Sequence, residues 1–164
     1  MKRTSMAAIC AATALLTATL SSCSDSSGDS SADGYGSTTS TKVEQAIVKT
    51  KTAGKLGTIL VDDKGRTLYL FLADKKNQSK CTGDCAEAWP PLMSKGTAEA
   101  GKGVDEKLLG LTKRSGSAEQ VTYNGHPLYY YAGDTDPGQT NGQGLDQFGA
   151  AWYVLDAKGK QVVN

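Results

Sequence analysis

The order of apolar and polar positions divides the chain into three regions. An apolar run from Met6 to Leu20 follows Lys2 and Arg3. Ser, Gly, Asp and Thr then dominate, and short apolar runs return from about residue 55. A polar stretch of this composition cannot bury enough surface to offset its ordering entropy. The pattern therefore predicts an N-terminal targeting segment, a disordered tether and a folded module at residues 55–164.

Within the module, the apolar runs alternate as β-strands do. The segments 67–72 and 126–131 are rich in aromatic and aliphatic residues, and Asn124-Gly125 before the second is a strong hairpin signal. Alternation places Leu68, Leu70 and Leu72 on one face and Thr67, Tyr69 and Phe71 on the other. Both faces are largely apolar, so we expect strands that are covered on both sides.

The module contains an internal repeat. Residues 65–74 match residues 125–134 in register, with Gly, Leu, Tyr, an aromatic residue and Asp at the same places. The sequence predicts a mainly β fold: a single compact domain built from two pseudo-symmetric β-hairpin repeats, at about 56–111 and 117–164, with a short helix.

That helix is predicted over Thr82 to Trp89, where Pro90-Pro91 would end it. Cys81 and Cys85 are four residues apart and would share a helix face, within disulfide range.

The start of the chain has the features of a secretory signal: basic residues, an apolar run and small residues before a cleavage point. Leu20-Ser21-Ser22-Cys23 resembles the lipobox of bacterial lipoproteins. The resemblance implies a signal peptide at 1–22, cleavage after Ser22, and lipid with fatty acyl chains such as palmitate on the Cys23 thiol. It also implies a tether at 23–54 and a module held at the extracytoplasmic face of the cell membrane. Ordinary signal cleavage is the alternative; the run is too short for a membrane helix, which needs about 20 residues.

Loss of the signal leaves 16 of the 18 basic residues against all 17 acidic ones, a net charge of −1. No basic patch interleaved with aromatic residues is present in the sequence, so nucleic acid is not an expected partner.

The repeated segments resemble a bacterial family of secreted and lipid-anchored repeat proteins with a Tyr-x-aromatic-x-x-Asp motif. The motif residues are Tyr69, Phe71 and Asp74 in the first repeat, and Tyr129, Tyr131 and Asp134 in the second. The resemblance implies a scaffold and a location but no reaction. These residues are either aromatic core positions with a turn-capping Asp, or the walls of a groove for a polar ligand or hard cation. Two Asp residues are too few for a tight calcium site.

Cys81 and Cys85 are predicted as a structural disulfide, since disulfides persist outside the cytoplasm. A redox-active dithiol is the other interpretation, although the neighbouring Asp84 would disfavour a reactive thiolate.

The remaining candidates for chemistry are few. His126 is the only histidine, expected to be exposed, and with Met93 it is a weak candidate copper site; otherwise neither a metal nor a cofactor is predicted. Trp89, His126 and Trp152 form a possible ligand surface, together with the Gly-rich loop Asp134 to Gly144. No catalytic motif is recognisable.

The sequence thus favours a non-enzymatic binding or interaction module on the cell envelope. Its expected partners are the membrane, through the lipid, and an envelope component or small ligand. The alternatives are an envelope redox or electron-transfer protein that uses Cys81 and Cys85 or a bound metal, and a purely structural module.

Overall fold

The computed structural model describes residues 44–115 and 119–163, which form short strands, one α-helix and two turns of 3-10 helix. The helix α1 is Asp84–Ala88, and the 3-10 turns are Gly54–Leu56 and Glu106–Leu108. The strands are Ile47–Thr52 (β1), Thr58–Asp62 (β2), Tyr69–Phe71 (β3), Met93–Ser94 (β4), Glu99–Ala100 (β5), Leu109–Lys113 (β6), Glu119–Tyr123 (β7), His126–Pro127 (β8), Asp146–Gln147 (β9) and Ala150–Val154 (β10).

The strands assemble into three small sheets. In the first, β1 lies between β2 and the parallel β5; in the second, β10 lies between β3 and β9. In the third, β7 lies between β4 and β6 and also pairs with β8. The fold is mainly β with one short helix, as the sequence predicts. The helix α1 also falls within its predicted range and ends before Pro90.

Both predicted hairpins are present. The turn between β7 and β8 has positive φ at Asn124 (50°) and Gly125 (82°), the conformation of a tight type I′ turn. Between β2 and β3, the Asp62 N–H donates to the Arg66 carbonyl at 2.9 Å, and Gly65 takes the positive φ (82°). Local turn chemistry therefore fixes both hairpins.

The strand β3 separates two apolar clusters, as the alternation predicts. Leu68 and Leu70 lie in one cluster, and Tyr69 and Phe71 lie in the other. The prediction for Leu72 was wrong: its side chain was expected on the face of Leu68 and Leu70, but it is 47% exposed. The strand ends at Phe71, so Leu72 leaves the face it was predicted to share.

The module begins earlier than the predicted boundary at residue 54. The strand β1 lies inside the range 23–54 that was predicted as tether, and it pairs with β2 over its whole length. Val48 is fully buried in the apolar cluster of Leu68 and Leu70. Pairing with β2 and burial of Val48 stabilise this strand, and its β-branched residues Ile47, Val48, Thr50 and Thr52 also favour it.

The signal peptide at 1–22, Cys23 and the tether up to residue 43 lie outside the described residues, so their predicted roles stay predictions. Across the part of the chain that the structure describes, no helix is long and apolar enough to cross a membrane.

Candidate functional site

The two motif tyrosines meet at the centre of the module. The Tyr69 N–H donates to the Tyr129 carbonyl at 2.8 Å, and the Tyr129 N–H donates back to the Tyr69 carbonyl at 3.0 Å. This reciprocal bridge relates the two repeats by a local pseudo-twofold axis. Both side chains are fully buried.

Each tyrosine hydroxyl binds the motif aspartate of the other repeat. Tyr69 Oη donates to Asp134 Oδ2 at 2.6 Å, and Tyr129 Oη donates to Asp74 Oδ2 at 2.7 Å. The exchange links residues that are 65 and 55 positions apart. The motif thus does more than repeat a local shape: it ties the two repeats to each other.

The second oxygen of each aspartate caps its own loop. Asp74 Oδ1 accepts from the Lys80 N–H at 2.6 Å, and Asp134 Oδ1 accepts from the Asn141 N–H at 2.9 Å. The turn-capping role predicted from sequence is therefore present, and it uses only half of each carboxyl group.

Burial is the main influence on the pKa values of the motif tyrosines and of Asp74. Burial raises the pKa of the Tyr69 phenol, and the hydrogen bond to Asp134 raises it further. Burial also raises the pKa of Tyr129, against the opposing effect of a hydrogen bond with Ser79. The pKa of Asp74 is raised as well, because its burial outweighs the hydrogen bonds it accepts from Lys80 and Tyr129. Both phenols therefore remain protonated donors at neutral pH.

Four aromatic rings form a continuous stack beside these tyrosines. The two indoles, of Trp89 and Trp152, are nearly parallel (5°) with centroids 3.9 Å apart. Phe71 stacks on the outer face of Trp152 at 4.0 Å, and Tyr131 packs on Trp89 at 4.3 Å. Each repeat's tryptophan thus contacts the motif ring of the other repeat.

The motif tyrosines touch the stack edge-on. Tyr69 meets Trp89 with centroids 5.4 Å apart, and Tyr129 meets Trp152 at 5.2 Å. Residue Gln147 on β9 holds both indoles: its side-chain Oε1 accepts from Trp89 Nε1 at 3.0 Å, and its carbonyl accepts from Trp152 Nε1 at 3.1 Å. Sequence reasoning missed Gln147, because a Gln near a hairpin turn carries no signal of its role.

The predicted ligand surface of Trp89, His126 and Trp152 is not present as a surface. Trp89 and Trp152 are fully buried in the stack, because their large rings bury a large apolar area between the repeats. His126 lies on β8, apart from that cluster, and is half-buried instead of exposed. Burial lowers the pKa of its imidazole.

Cys81 and Cys85 are joined in a disulfide at the start of α1, with their Cα atoms 5.2 Å apart. Cys81 is fully buried and Cys85 is 6% exposed, within the same cluster as Trp89. Arg114 Nη2 also donates to the Cys81 carbonyl at 2.7 Å. A thiol-exchange partner needs access to a sulfur atom, so this burial favours the structural interpretation of the pair.

The weak copper candidates Met93 and His126 are held apart by the backbone. They lie beside β7, opposite Gln120 and Tyr123 respectively. Three residues along a strand span about 10 Å, so this register does not bring the two side chains to one point. Nowhere in residues 44–115 and 119–163 do three or more His, Cys, Asp or Glu side chains gather in a group suited to a metal ion.

The Gly-rich loop Asp134 to Gly144 is tied to the module along its length. Thr67 Oγ1 donates to the Gln139 carbonyl at 2.6 Å, and the Gly142 N–H donates to Tyr69 Oη at 3.3 Å. A Cβ at Gly142 would lie 2.8 Å from the Trp89 ring, so only glycine lets the loop close over the stack. One side of this loop therefore serves packing, and only its outer side is available to a ligand.

A groove lies beside Tyr130 of the second repeat. It has a volume of about 570 Å³ and is walled by apolar residues, among them Pro90, Pro91 and Met93, and by the turn that carries Lys64. The N-terminal residues of the described module, from Glu44 to Ile47, form another wall.

A polar cluster forms the floor of this groove. The half-exposed Arg66 guanidinium stacks on the Tyr130 ring at 4.0 Å and forms an ion pair with the buried Asp62 at 2.7 Å. Arg66 Nη2 also donates to Tyr130 Oη at 2.9 Å, and that hydroxyl donates to Asp62 Oδ2 at 3.1 Å. The guanidinium is fixed in place by three contacts while one face of the cluster remains open to the groove.

Comparison with known proteins identifies the repeats. The model of a family described as a secreted repeat of unknown function matches residues 50–93 and 110–156, more than half of the chain. Neither a curated protein nor a solved structure matches the chain.

Proposed function

Because the chain belongs to the family of secreted repeats of unknown function, we propose that it is a lipid-anchored binding module of the bacterial cell envelope that performs no catalysis. The folded module would be held outside the cytoplasmic membrane by acyl chains on Cys23, and it would bind an envelope component or a small ligand. Membership of a secreted family supports the location, and the lipobox resemblance at Leu20 to Cys23 supports the anchor.

The groove beside Arg66 is the observation that carries the binding role. Ligand sites are concave, largely apolar, and contain a few fixed polar groups. The groove combines an apolar wall at Pro90, Pro91 and Met93 with a guanidinium that is already held by Asp62 and Tyr130. A group fixed before binding loses little side-chain entropy when a ligand arrives.

The chemistry of the groove suits a ligand with both an apolar portion and a hydrogen-bond acceptor. Arg66 Nη1 makes no hydrogen bond to the described residues, so it is available to an acceptor on the ligand. Lys64 adds a second cation at the rim. A sugar–peptide fragment of the cell wall has this combination of groups.

Binding can be tested with soluble muropeptides titrated into the isotope-labelled full chain, followed by NMR. We expect saturable chemical-shift changes that cluster around Met93 and Arg66. The variant Lys64→Glu should weaken binding about tenfold, equal to 1.4 kcal/mol, without lowering the melting temperature. Lys158→Glu is the matched control, because Lys158 occupies the same place in the similar turn after Asp156. Equal weakening by both variants, or shifts remote from the groove, would refute this site.

The anchor is tested separately by Cys23→Ser. We expect the wild-type chain to incorporate labelled palmitate and to partition with detergent, and the variant to do neither while its module unfolds at the same temperature. Cys10→Ser removes a cysteine from the apolar signal run and should leave labelling intact. Palmitate labelling that persists in Cys23→Ser would reject the anchor at this residue.

A further inference from the structure

The aromatic stack and the two Tyr–Asp pairs have a property that binding at the groove does not use. Electron transfer between rings slows steeply with distance, and every neighbouring pair of rings in this cluster has centroids within 5.4 Å. Indole and phenol are the two protein side chains that lose one electron most readily besides thiols. We infer that the repeat interface is a one-electron relay, in which Trp89 and Trp152 pass an oxidising equivalent to Tyr69 or Tyr129.

One end of the relay reaches the surface. Tyr131 is half-buried and lines a pocket of about 200 Å³ with Arg66 and Pro90. Its ring packs directly on Trp89 at 4.3 Å. A one-electron oxidant of the oxygen-centred radical class, such as a peroxyl radical, would therefore lie one ring away from the buried indoles when it occupies this pocket.

Electrons and protons are conserved among the oxidant, the aromatic stack and one Tyr–Asp pair. The oxidant takes one electron from the stack and is itself reduced, which leaves an indole radical cation. Tyr69 then returns an electron to the indole, and its phenolic proton moves along the 2.6 Å hydrogen bond to the Asp134 carboxylate. The products are the reduced oxidant, a neutral tyrosyl radical at Tyr69 and a protonated Asp134. A one-electron donor of the hydroquinone class would restore the starting state.

The neighbouring carboxylate favours transfer of the oxidising equivalent to the tyrosine. A phenol that loses an electron becomes a very strong acid, so a base within hydrogen-bond distance must accept its proton. Asp134 and Asp74 lie 2.6 and 2.7 Å from the two hydroxyls; the tyrosines are fully buried and the carboxyl groups are half-buried. The pseudo-twofold axis gives the relay two such Tyr–Asp pairs, each of which joins the two repeats.

The indoles themselves lack such a base. Both indole N–H groups donate to amide oxygens of Gln147, which do not take up a proton at neutral pH. A radical cation on Trp89 or Trp152 therefore cannot settle there by losing its proton to a partner, whereas a radical on Tyr69 or Tyr129 can. This difference directs the oxidising equivalent from the tryptophans to the tyrosines.

The test is laser flash photolysis of the full chain with a photo-oxidised ruthenium polypyridyl complex as the oxidant. Trp89 and Trp152 are the only tryptophans of the chain, so every indole-radical signal comes from the stack. We expect an indole-radical absorption that decays into a tyrosyl-radical absorption, and a slower conversion in D2O because the proton moves with the electron. Indole radicals that decay without forming tyrosyl radicals would overturn the inference.

Variants test which tyrosines the indole radical oxidises. Tyr69→Phe or Tyr129→Phe should roughly halve the conversion rate, and the double variant should slow it about tenfold or more. Asp134→Asn with Asp74→Asn keeps a hydrogen-bond acceptor but removes the base, so it should also slow conversion. Tyr153→Phe is the matched control, since Tyr153 packs against the other apolar cluster. Should the double Phe variant be too unstable, the single variants and the solvent isotope effect decide the question. If Tyr69→Phe and Tyr129→Phe leave the rate of tyrosyl-radical formation unchanged, or if Tyr153→Phe slows it equally, Tyr69 and Tyr129 are not the tyrosines that are oxidised.

Discussion

At the scale of single residues, the hydroxyl of Tyr69 is the smallest feature that couples the two repeats. It donates to Asp134 and accepts from the Gly142 N–H, so Tyr69→Phe leaves the buried Gly142 N–H and the half-buried Asp134 carboxylate each short of a partner. We expect the variant to lose about 1–3 kcal/mol of unfolding free energy, measured by urea denaturation. Tyr153→Phe serves as control, because the Tyr153 hydroxyl has no hydrogen bond to the described residues. An equal loss in both variants would contradict the role of the cross-repeat bond.

His126 supplies a second prediction at this scale. Burial lowers the pKa of its imidazole below the ordinary value of about 6.5, so the unfolded chain binds the proton more readily than the folded chain. The stability it contributes is present above pH 6.5 and is lost as the pH falls through the lowered pKa. We expect the unfolding free energy to decrease over that window by at most about 1.4 kcal/mol per pH unit.

The comparison with His126→Gln isolates this effect. Asp74 has a raised pKa, so its contribution has the opposite sign: it is present at low pH and is lost as the pH rises. Subtracting the pH profile of His126→Gln from that of the wild type cancels the Asp74 contribution. A difference that stays constant between pH 7 and pH 5 would contradict the prediction for His126.

Some features of the site could be predicted from the sequence, and others could not. The motif positions, the turn-capping aspartates and the hairpin glycines follow from local rules, because each depends on residues a few positions away. The exchange of Tyr69 with Asp134 and of Tyr129 with Asp74 does not, since the same residues satisfy the motif whether each bond closes within a repeat or between repeats. Only the placement of the two strands decides between those outcomes.

At the scale of elements, α1 has five residues, too few to be stable alone, and depends on its attachments. The Cys81–Cys85 disulfide closes a loop of five residues, for which chain entropy gives about 2 kcal/mol. We expect Cys81→Ala with Cys85→Ala to lower the unfolding free energy by about that amount. The groove residues and muropeptide binding should be unaffected. Loss of binding by a folded double variant would instead revive a functional role for the pair.

Elements explain two differences between sequence and structure. Strand β1 was predicted as tether because it directly follows the polar Ser-, Gly- and Thr-rich stretch; its β-branched residues favour a strand, and pairing with β2 stabilises it. Trp89 and Trp152 were predicted as part of a possible ligand surface together with the Gly-rich loop. The structure presents Trp89 from the end of α1 and Trp152 from β10, and both rings are buried in the stack between the repeats.

At the scale of the whole module, the central contacts of the motif residues join one repeat to the other. The Tyr69–Tyr129 bridge, both Tyr–Asp bonds and the pairing of the two indoles each use one residue from each repeat. We therefore expect fragments cut between β6 and β7, at residues 116–118, to be unfolded when separate, because each would expose half of the stack and leave one aspartate without its tyrosine. Mixing the fragments should restore the near-ultraviolet circular dichroism of the stacked tryptophans. A cooperative unfolding transition in either fragment alone would show that a repeat folds by itself, and the exchange would then be a docking contact instead of a condition for folding.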